Sequence, residues 1–252
     1  MTNRIIPCLL LRNNGLVKTI RFKESVYIGD PINAVRIFNE KEVDELVFLD
    51  IDATREKREP SVNMIRKIAE ECFMPFSYGG GICTLQQIEE IIKSGAEKIV
   101  INTQAFIRKE FIHEAAVRFG SSTIVVSMDV KKKLIGGQTV HINGGRQNTG
   151  KDPVEYAREM EDQGAGEIFI NSIDRDGTME GYDIELIRSV SEVVSIPVIA
   201  CGGAGSASDL KKVIKEGRAS AAAAGSLFVF HGKRRAVLIT YPSYDEISGL
   251  FK

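Results

Sequence analysis

A single α/β domain, a (β/α)8 TIM barrel over residues 1–252, is the fold that this sequence predicts, and three observations predict it. Short apolar runs rich in Ile and Val recur eight times, longer stretches with helical spacing separate most of them, and the two halves of the chain repeat one another. Sharing the chain among eight units leaves about 31 residues for each, the size of a βα unit, and the total suits an eight-fold barrel. A doubly wound open sheet is the alternative architecture.

The predicted strands, in order, are residues 5–11, 46–51, 75–78, 99–101, 124–128, 168–170, 197–200 and 221–224. Runs that are apolar throughout suit strands covered on both faces, as in a parallel sheet inside a helical layer. Helical spacing is clearest over residues 34–44, 63–71, 85–94, 153–163 and 184–193. An offset of 122 residues lays Glu45-Leu46-Val47-Phe48 on Glu167-Ile168-Phe169-Ile170. It also carries Pro75 onto Pro197, Gly80-Gly81 onto Gly202-Gly203 and Gly95 onto Gly217. A repeat near half the chain length means two four-unit halves closing with pseudo-two-fold symmetry, which an open sheet does not require.

Composition narrows the function. Lys and Arg number 33 against 34 Asp and Glu, so a net charge of -1 creates no overall field for nucleic acid or an anionic membrane. Any anion must be bound by local geometry. No apolar run reaches the roughly 20 residues of a spanning helix and the first residues hold no signal-peptide core, so a cytoplasmic location is expected. Cys8, Cys72, Cys83 and Cys201 form no CxxC pair, and His113, His141 and His231 stand far apart. Neither a metal site, a disulfide framework nor a cofactor is expected. Of the cysteines, Cys83 alone is expected near a site.

Several segments together resemble a known family. Asp44-Glu45-Leu46-Val47-Phe48-Leu49-Asp50-Ile51, Gly79-Gly80-Gly81-Ile82, Ser172-Ile173-Asp174-Arg175-Asp176-Gly177-Thr178 and Gly202-Gly203-Ala204-Gly205 are similar to HisF, the barrel subunit of imidazole glycerol phosphate synthase. The likeness spans nearly the whole chain. It implies a HisH-like glutaminase under the barrel, ammonia passing through the core, and a bisphosphorylated substrate at the upper face. It also implies two catalytic aspartates, of which Asp129 matches the one on the fifth strand. The first-strand Cys-Leu-Asp motif reads Cys8-Leu9-Leu10 here, and nothing from Cys8 to Gly15 is acidic. Losing one of an acid/base pair removes about 10²- to 10⁴-fold of rate. The ending, from Ala222-Ala223-Ala224-Gly225-Ser226 to Ile239-Thr240-Tyr241-Pro242-Ser243, resembles a narrower HisF-like group associated with acetamidino modification of surface-polysaccharide sugars. There the resemblance implies ammonia delivery to a separate amidotransferase.

Glycine turns after strands can turn bare N–H groups onto a phosphate. One cup is expected from Gly81, Asn102 and Thr103, and a second from Gly202, Gly203, Gly225 and Ser226. Lys18, which the resemblance places on a mobile first loop with Thr19 where the family usually has Gly, and Asp176-Gly177 complete the expected ligand-binding set. Arg4, Glu45, Lys98 and Glu167 each precede an apolar run and match the family's salt-bridge gate at the ammonia entrance; taken alone they could equally plug the barrel floor. Asp50, Asp52, Asp174 and Asp176 cluster at strand ends, where carboxylates also serve as caps and turns. Lys131-Lys132-Lys133 and Lys233-Arg234-Arg235 read as solvated faces, with an acidic partner or a nucleotide-sugar diphosphate as the alternative. Three functions stand open: an ammonia-channelling subunit for sugar amidination, a cyclase of the histidine pathway, and a non-catalytic phosphosugar-binding scaffold.

Overall fold

In the computed structural model, which describes residues 3–232 and 234–251, eight parallel strands close into a barrel. In chain order the strands of the main sheet are β1 (Arg4–Arg12), β2 (Gly15–Thr19), β3 (Ser25–Gly29), β4 (Leu46–Asp50), β5 (Phe76–Gly79), β6 (Lys98–Ile101), β7 (Ile124–Lys132), β8 (Gln138–Ile142), β9 (Gln147–Asn148), β10 (Glu167–Ser172), β11 (Val198–Cys201) and β12 (Ala221–Ala224), and β13 (Phe230–His231) pairs with β14 (Ala236–Val237) apart from it. The barrel order is β1-β4-β5-β6-β7-β10-β11-β12, closed by Arg4 against Ala221 and Ile5 against Ala222. All eight strands expected from the sequence are present, each within a few residues of its expected ends.

Helices fill the crossovers: α1 (Pro31–Glu40), α2 (Val62–Glu71), α3 (Leu85–Lys93), α4 (Thr103–Ile107), α5 (Glu110–Phe119), α6 (Pro153–Asp162), α7 (Ile184–Ser191), α8 (Ala207–Lys215), α9 (Ser226–Val229) and α10 (Tyr244–Phe251). Short polar side chains open them. Asp30, Ser61, Thr84, Asp152, Asp183 and Ser206 each accept backbone N–H groups of the first turn. Helix α1 starts and stops earlier than its spacing suggests. Pro31 behind the Asp30 cap sets its start, and Glu42 at φ 53° turns the chain out of it. No helix among the described residues is long and apolar enough to cross a membrane.

Two hairpins on the upper face were not expected. Asn13 and Asn14, both at positive φ, reverse the chain between β1 and β2, the geometry of a two-residue hairpin turn. The segment after β1 is therefore a β-ribbon, and Lys18 lies in a strand instead of a loop. Likewise β7 runs on past Met128 because β8 pairs with it.

Strand parity organises the interior. Side chains alternate between the faces of a strand, so Arg4, Ile6, Cys8 and Leu10 share the inner face of β1 while Ile5 and Leu9 face the helices. The bore is packed by Ile6, Val47, Val100, Val125, Phe169, Ile199, Ala221 and Ala223. A second, larger cluster fills the layer between strands and helices. The bore is thus an apolar column, with charges below and polar groups above.

Candidate functional site

The floor of the bore is a ring of four alternating charges. Arg4 lies 2.7 Å from Glu45 and 2.9 Å from Glu167; Lys98 lies 3.3 Å from Glu45 and 3.1 Å from Glu167. Ser77 Oγ donates to the remaining oxygen of Glu45 at 2.9 Å. All four residues expected at the floor therefore meet, and each carboxylate has both cations as partners. Burial opposes the Arg4 charge, yet Glu167 and Glu45 hold the guanidinium above its ordinary range.

Two residues higher on the inner face of each strand the lining is apolar, and at the upper end it turns polar again. A cavity of ≈ 480 Å³ opens there, lined by Leu10, Gly81, Asn102, Thr103, Ser127, Asp129 and Asn171 among others. Asp129 is buried and receives a hydrogen bond from Asn102 Nδ2 at 3.1 Å. Burial, reinforced by the charge of Asp176 and opposed by Asn102, pushes the Asp129 carboxyl up to about 7. Leu10 occupies the inner face of β1 beside Leu49, where it can neither give nor take a proton. The register of β1 against β4 leaves only leucines from 9 to 11, so no one-residue slip would supply an acid.

The first expected cup is partly satisfied from within. Gly81 N–H donates to Thr54 Oγ1 at 3.3 Å, and Thr103 Oγ1 accepts the Asn143 N–H at 3.0 Å. Gly80 and Gly81 stand at positive φ, and a Cβ at Gly80 would lie 2.4 Å from the Asp50 carbonyl. The second set of residues surrounds a smaller cavity of ≈ 20 Å³, lined by Lys18, Asp176, Gly177, Gly202, Gly203, Gly225 and Ser226. Lys18 fills it. Its ammonium reaches the Cys8 carbonyl at 3.4 Å and lies where a Cβ at Gly225 would be, 1.8 Å away. The space that remains is that of about one water molecule. A phosphate enters this cup only if the Lys18 ammonium swings aside to meet it.

The aspartates at the strand ends are structural links. Asp50 accepts the Asp52 and Ala53 N–H groups and both Arg58 terminal nitrogens, while Asp52 pairs with Arg12 and Arg55. Asp174 accepts the Lys132 N–H, and Asp176 accepts from Thr19 Oγ1 at 2.8 Å. This last bond ties the β2 ribbon across the mouth. Cys8 and Cys201 line the small cavity, so Cys83 is not alone near the site. In the second basic trio, Arg235 donates to the Gly177 carbonyl at 3.0 Å; Lys233 lies outside the described residues.

Asn171 was not foreseen. It pairs in register with Asp129 on one side and Cys201 on the other, lines both cavities, and has a buried Oδ1 with no partner among the described residues. The same holds for the buried Asn102 Oδ1 and Ser226 Oγ. Unmet acceptors around a cavity suit a ligand that brings donors of its own. The sequence signal was parity: Asn171 is four residues above Glu167 and therefore on the same inner face. Arg146, exposed at the cavity mouth and without an ion pair among the described residues, carried no such signal.

Comparison with known proteins agrees with this architecture. The family described as "Histidine biosynthesis protein" matches residues 4–234. The "Putative imidazole glycerol phosphate synthase subunit hisF2" of Pseudomonas aeruginosa is 53% identical over 97% of this chain and 97% of its own length. The "Imidazole glycerol phosphate synthase subunit HisF" of Alkaliphilus metalliredigens is 45% identical over 92% of each chain. A charged floor, an apolar bore and a polar upper cavity on a two-fold barrel thus coincide with a match across nearly the full length, and the chain belongs to the histidine biosynthesis protein family as a HisF-like barrel.

Proposed function

We propose that this chain is the ammonia-conducting barrel subunit of a glutamine-dependent synthase. A HisH-like glutaminase docks beneath the floor, and ammonia passes the ring of Arg4, Glu45, Lys98 and Glu167 and then the apolar bore to the upper cavity. The observation that carries this reading is the stacking of ring, bore and cavity along the inner faces of β1, β4, β6 and β10. Ring charges that neutralise one another leave a polar aperture with no net charge, which a small neutral molecule passes more easily than an ion. Gly81, Asn102 and Thr103 on one side, and Lys18, Gly177, Gly202, Gly203, Gly225 and Ser226 on the other, bind the two ends of a phosphorylated small molecule, while Asp176 holds the rim of the second cup through Thr19.

The names of the relatives support ring closure in histidine biosynthesis as the fate of the ammonia. Asp129 then serves as the proton-transfer group: a carboxyl poised at about 7 is half protonated at neutral pH and can both give and take a proton. One observation favours a second reading. Leu10 removes the partner acid from the first strand, which suits a barrel that passes ammonia on to a separate amidotransferase, as in acetamidino modification of a surface-polysaccharide sugar.

The test is the purified chain with a HisH-like glutaminase, and separately with free ammonia and the bisphosphorylated intermediate of histidine biosynthesis. Glutaminase stimulation is expected. Cyclisation with free ammonia that Asp129→Asn abolishes supports the first destination; stimulation without cyclisation supports the second. No stimulation at all overturns the proposal and leaves a phosphosugar-binding scaffold.

A further inference from the structure

The run Lys131-Lys132-Lys133 and the apolar pair after it serve neither the bore nor the cavities. Strand β7 leaves the barrel after Val130, the last of its residues to pair with β10, and Lys131 and Lys132 pair with Thr139 and Gln138 of β8 alone. The ribbon therefore stands beyond the rim at the end of the barrel where the large cavity opens. Its base is held from two directions. The Lys132 N–H donates to Asp174 at 2.8 Å, and Gln138 Nε2 donates to Asp183, the cap of α7, at 2.9 Å. Gly136 and Gly137, at φ 51° and 74°, make the reversal that follows the tip.

On this anchored ribbon Leu134 and Ile135 are fully exposed. Two adjacent large aliphatics at a tip add nothing to the core and lower solubility, the usual mark of a contact surface. They sit in a basic collar. Lys131 and Lys133 are exposed and form no ion pair among the described residues. Arg21, also exposed, reaches the Asp174 carbonyl from the β2–β3 side, with Lys23 beyond it. An apolar point within unpaired cations is complementary to an apolar notch rimmed by Asp and Glu. A membrane is a poorer match, because two aliphatics offer little area to insert.

We propose that the Leu134-Ile135 tip docks an acidic protein that consumes ammonia at the upper mouth of the barrel. The proposal rests on the reading in which ammonia is delivered to a separate enzyme. Ammonia released into water at neutral pH becomes ammonium and ceases to be a nucleophile, so its consumer has to cover the exit. A tip beside the cavity, on the face opposite the glutaminase floor, places a partner there without obstructing the floor.

A photo-crosslinking residue at position 134, in cells that make the chain naturally, tests the proposal. Illumination should trap an acidic enzyme whose own reaction uses ammonia, and Lys131→Glu with Lys133→Glu should cut that trapping by about tenfold or more. With the trapped enzyme, the glutaminase and the barrel combined, Leu134→Asp should lower glutamine-driven product about tenfold while leaving glutaminase stimulation and the free-ammonia rate unchanged. Trapping of a second copy of this chain, of the glutaminase or of nothing overturns the docking proposal. So does sedimentation of the chain with phosphatidylglycerol-rich vesicles that Leu134→Asp abolishes. Failure of the unmodified barrel to stimulate the glutaminase strikes instead at the delivery reading, which separates the two.

Discussion

Asp129→Asn should remove a pH dependence of stability that the buried carboxyl imposes on the fold. The native carboxyl titrates at about 7 and its ordinary value is 3.8. Between those values the folded protein holds a proton that the unfolded chain has lost, so unfolding releases it and stability falls as pH rises. The slope is about 1.4 kcal/mol for each pH unit, giving about 4 kcal/mol across the window from about pH 4 to about pH 7. Above pH 7 both states are ionised and the whole penalty is present; below pH 4 both are neutral and it is absent. An Asn at this position cannot ionise and still accepts the bond from Asn102. The variant should therefore match the wild type near pH 4 and exceed it by about 4 kcal/mol at pH 8, a Tm difference of roughly 8–16 °C for a chain of this size. Thermal melts of both proteins from pH 4 to pH 9 measure the difference, in which the other titrating groups cancel. Parallel curves would show that Asp129 is solvated and ionised in the native state, and would refute its assignment as a group poised for proton transfer.

Other outcomes follow from the two cavities. Gly225→Ala places a Cβ 1.8 Å from the flexible end of Lys18 and 3.0 Å from the Cys8 carbonyl, so it should displace the ammonium, fill the space a phosphate would take and weaken phosphate binding at that cup. Isothermal titration with a bisphosphorylated sugar analogue reads this, and unchanged affinity would remove Lys18 and Gly225 from the ligand site. Gly203→Val, by contrast, drives a Cβ to 2.2 Å from the Gly181 carbonyl at a φ of +112° and should destabilise the protein outright, which melting will show. Leu10→Asp restores a carboxylate opposite Asp129 and should raise ammonia-dependent cyclisation by about 10²-fold; no gain would mean that the site no longer binds the ring-forming substrate.

Much of this architecture was legible because barrels impose regular rules. Eight apolar runs and the 122-residue repeat located the strands, and a charged residue just ahead of four of them sits where the closed barrel needs a floor. Parity then carries each floor charge upward to Leu10, Leu49, Asn102 and Asn171. Asn171 carries no apolar signal, because the apolar run ends at Ile170 while the strand continues through the polar Asn171 and Ser172. The β2–β3 ribbon had a weaker signal. Its turn runs through Arg21 and Phe22, both at positive φ without a glycine, and the segment 25–27 is exposed throughout, so no alternation marks it. A buried lysine is also hard to foresee: Lys18 lies against Cys8 and Gly225, beside a Thr19 that bonds Asp176, 157 residues away in sequence. Such long-range closure is a property of the assembled rim and leaves no local pattern.

The ratio of glutamate released to amidated or cyclised product, measured with the glutaminase and with Lys98→Ala in the barrel, tests the central claim most directly. Lys98 holds Glu45 at 3.3 Å and Glu167 at 3.1 Å, so its removal gives the ring a net negative charge and leaves Arg4 alone between the two carboxylates. The account predicts a ratio that rises well above one for the variant, with product restored by excess free ammonia and the glutaminase still bound. A ratio of one for both proteins would contradict the passage of ammonia through the ring.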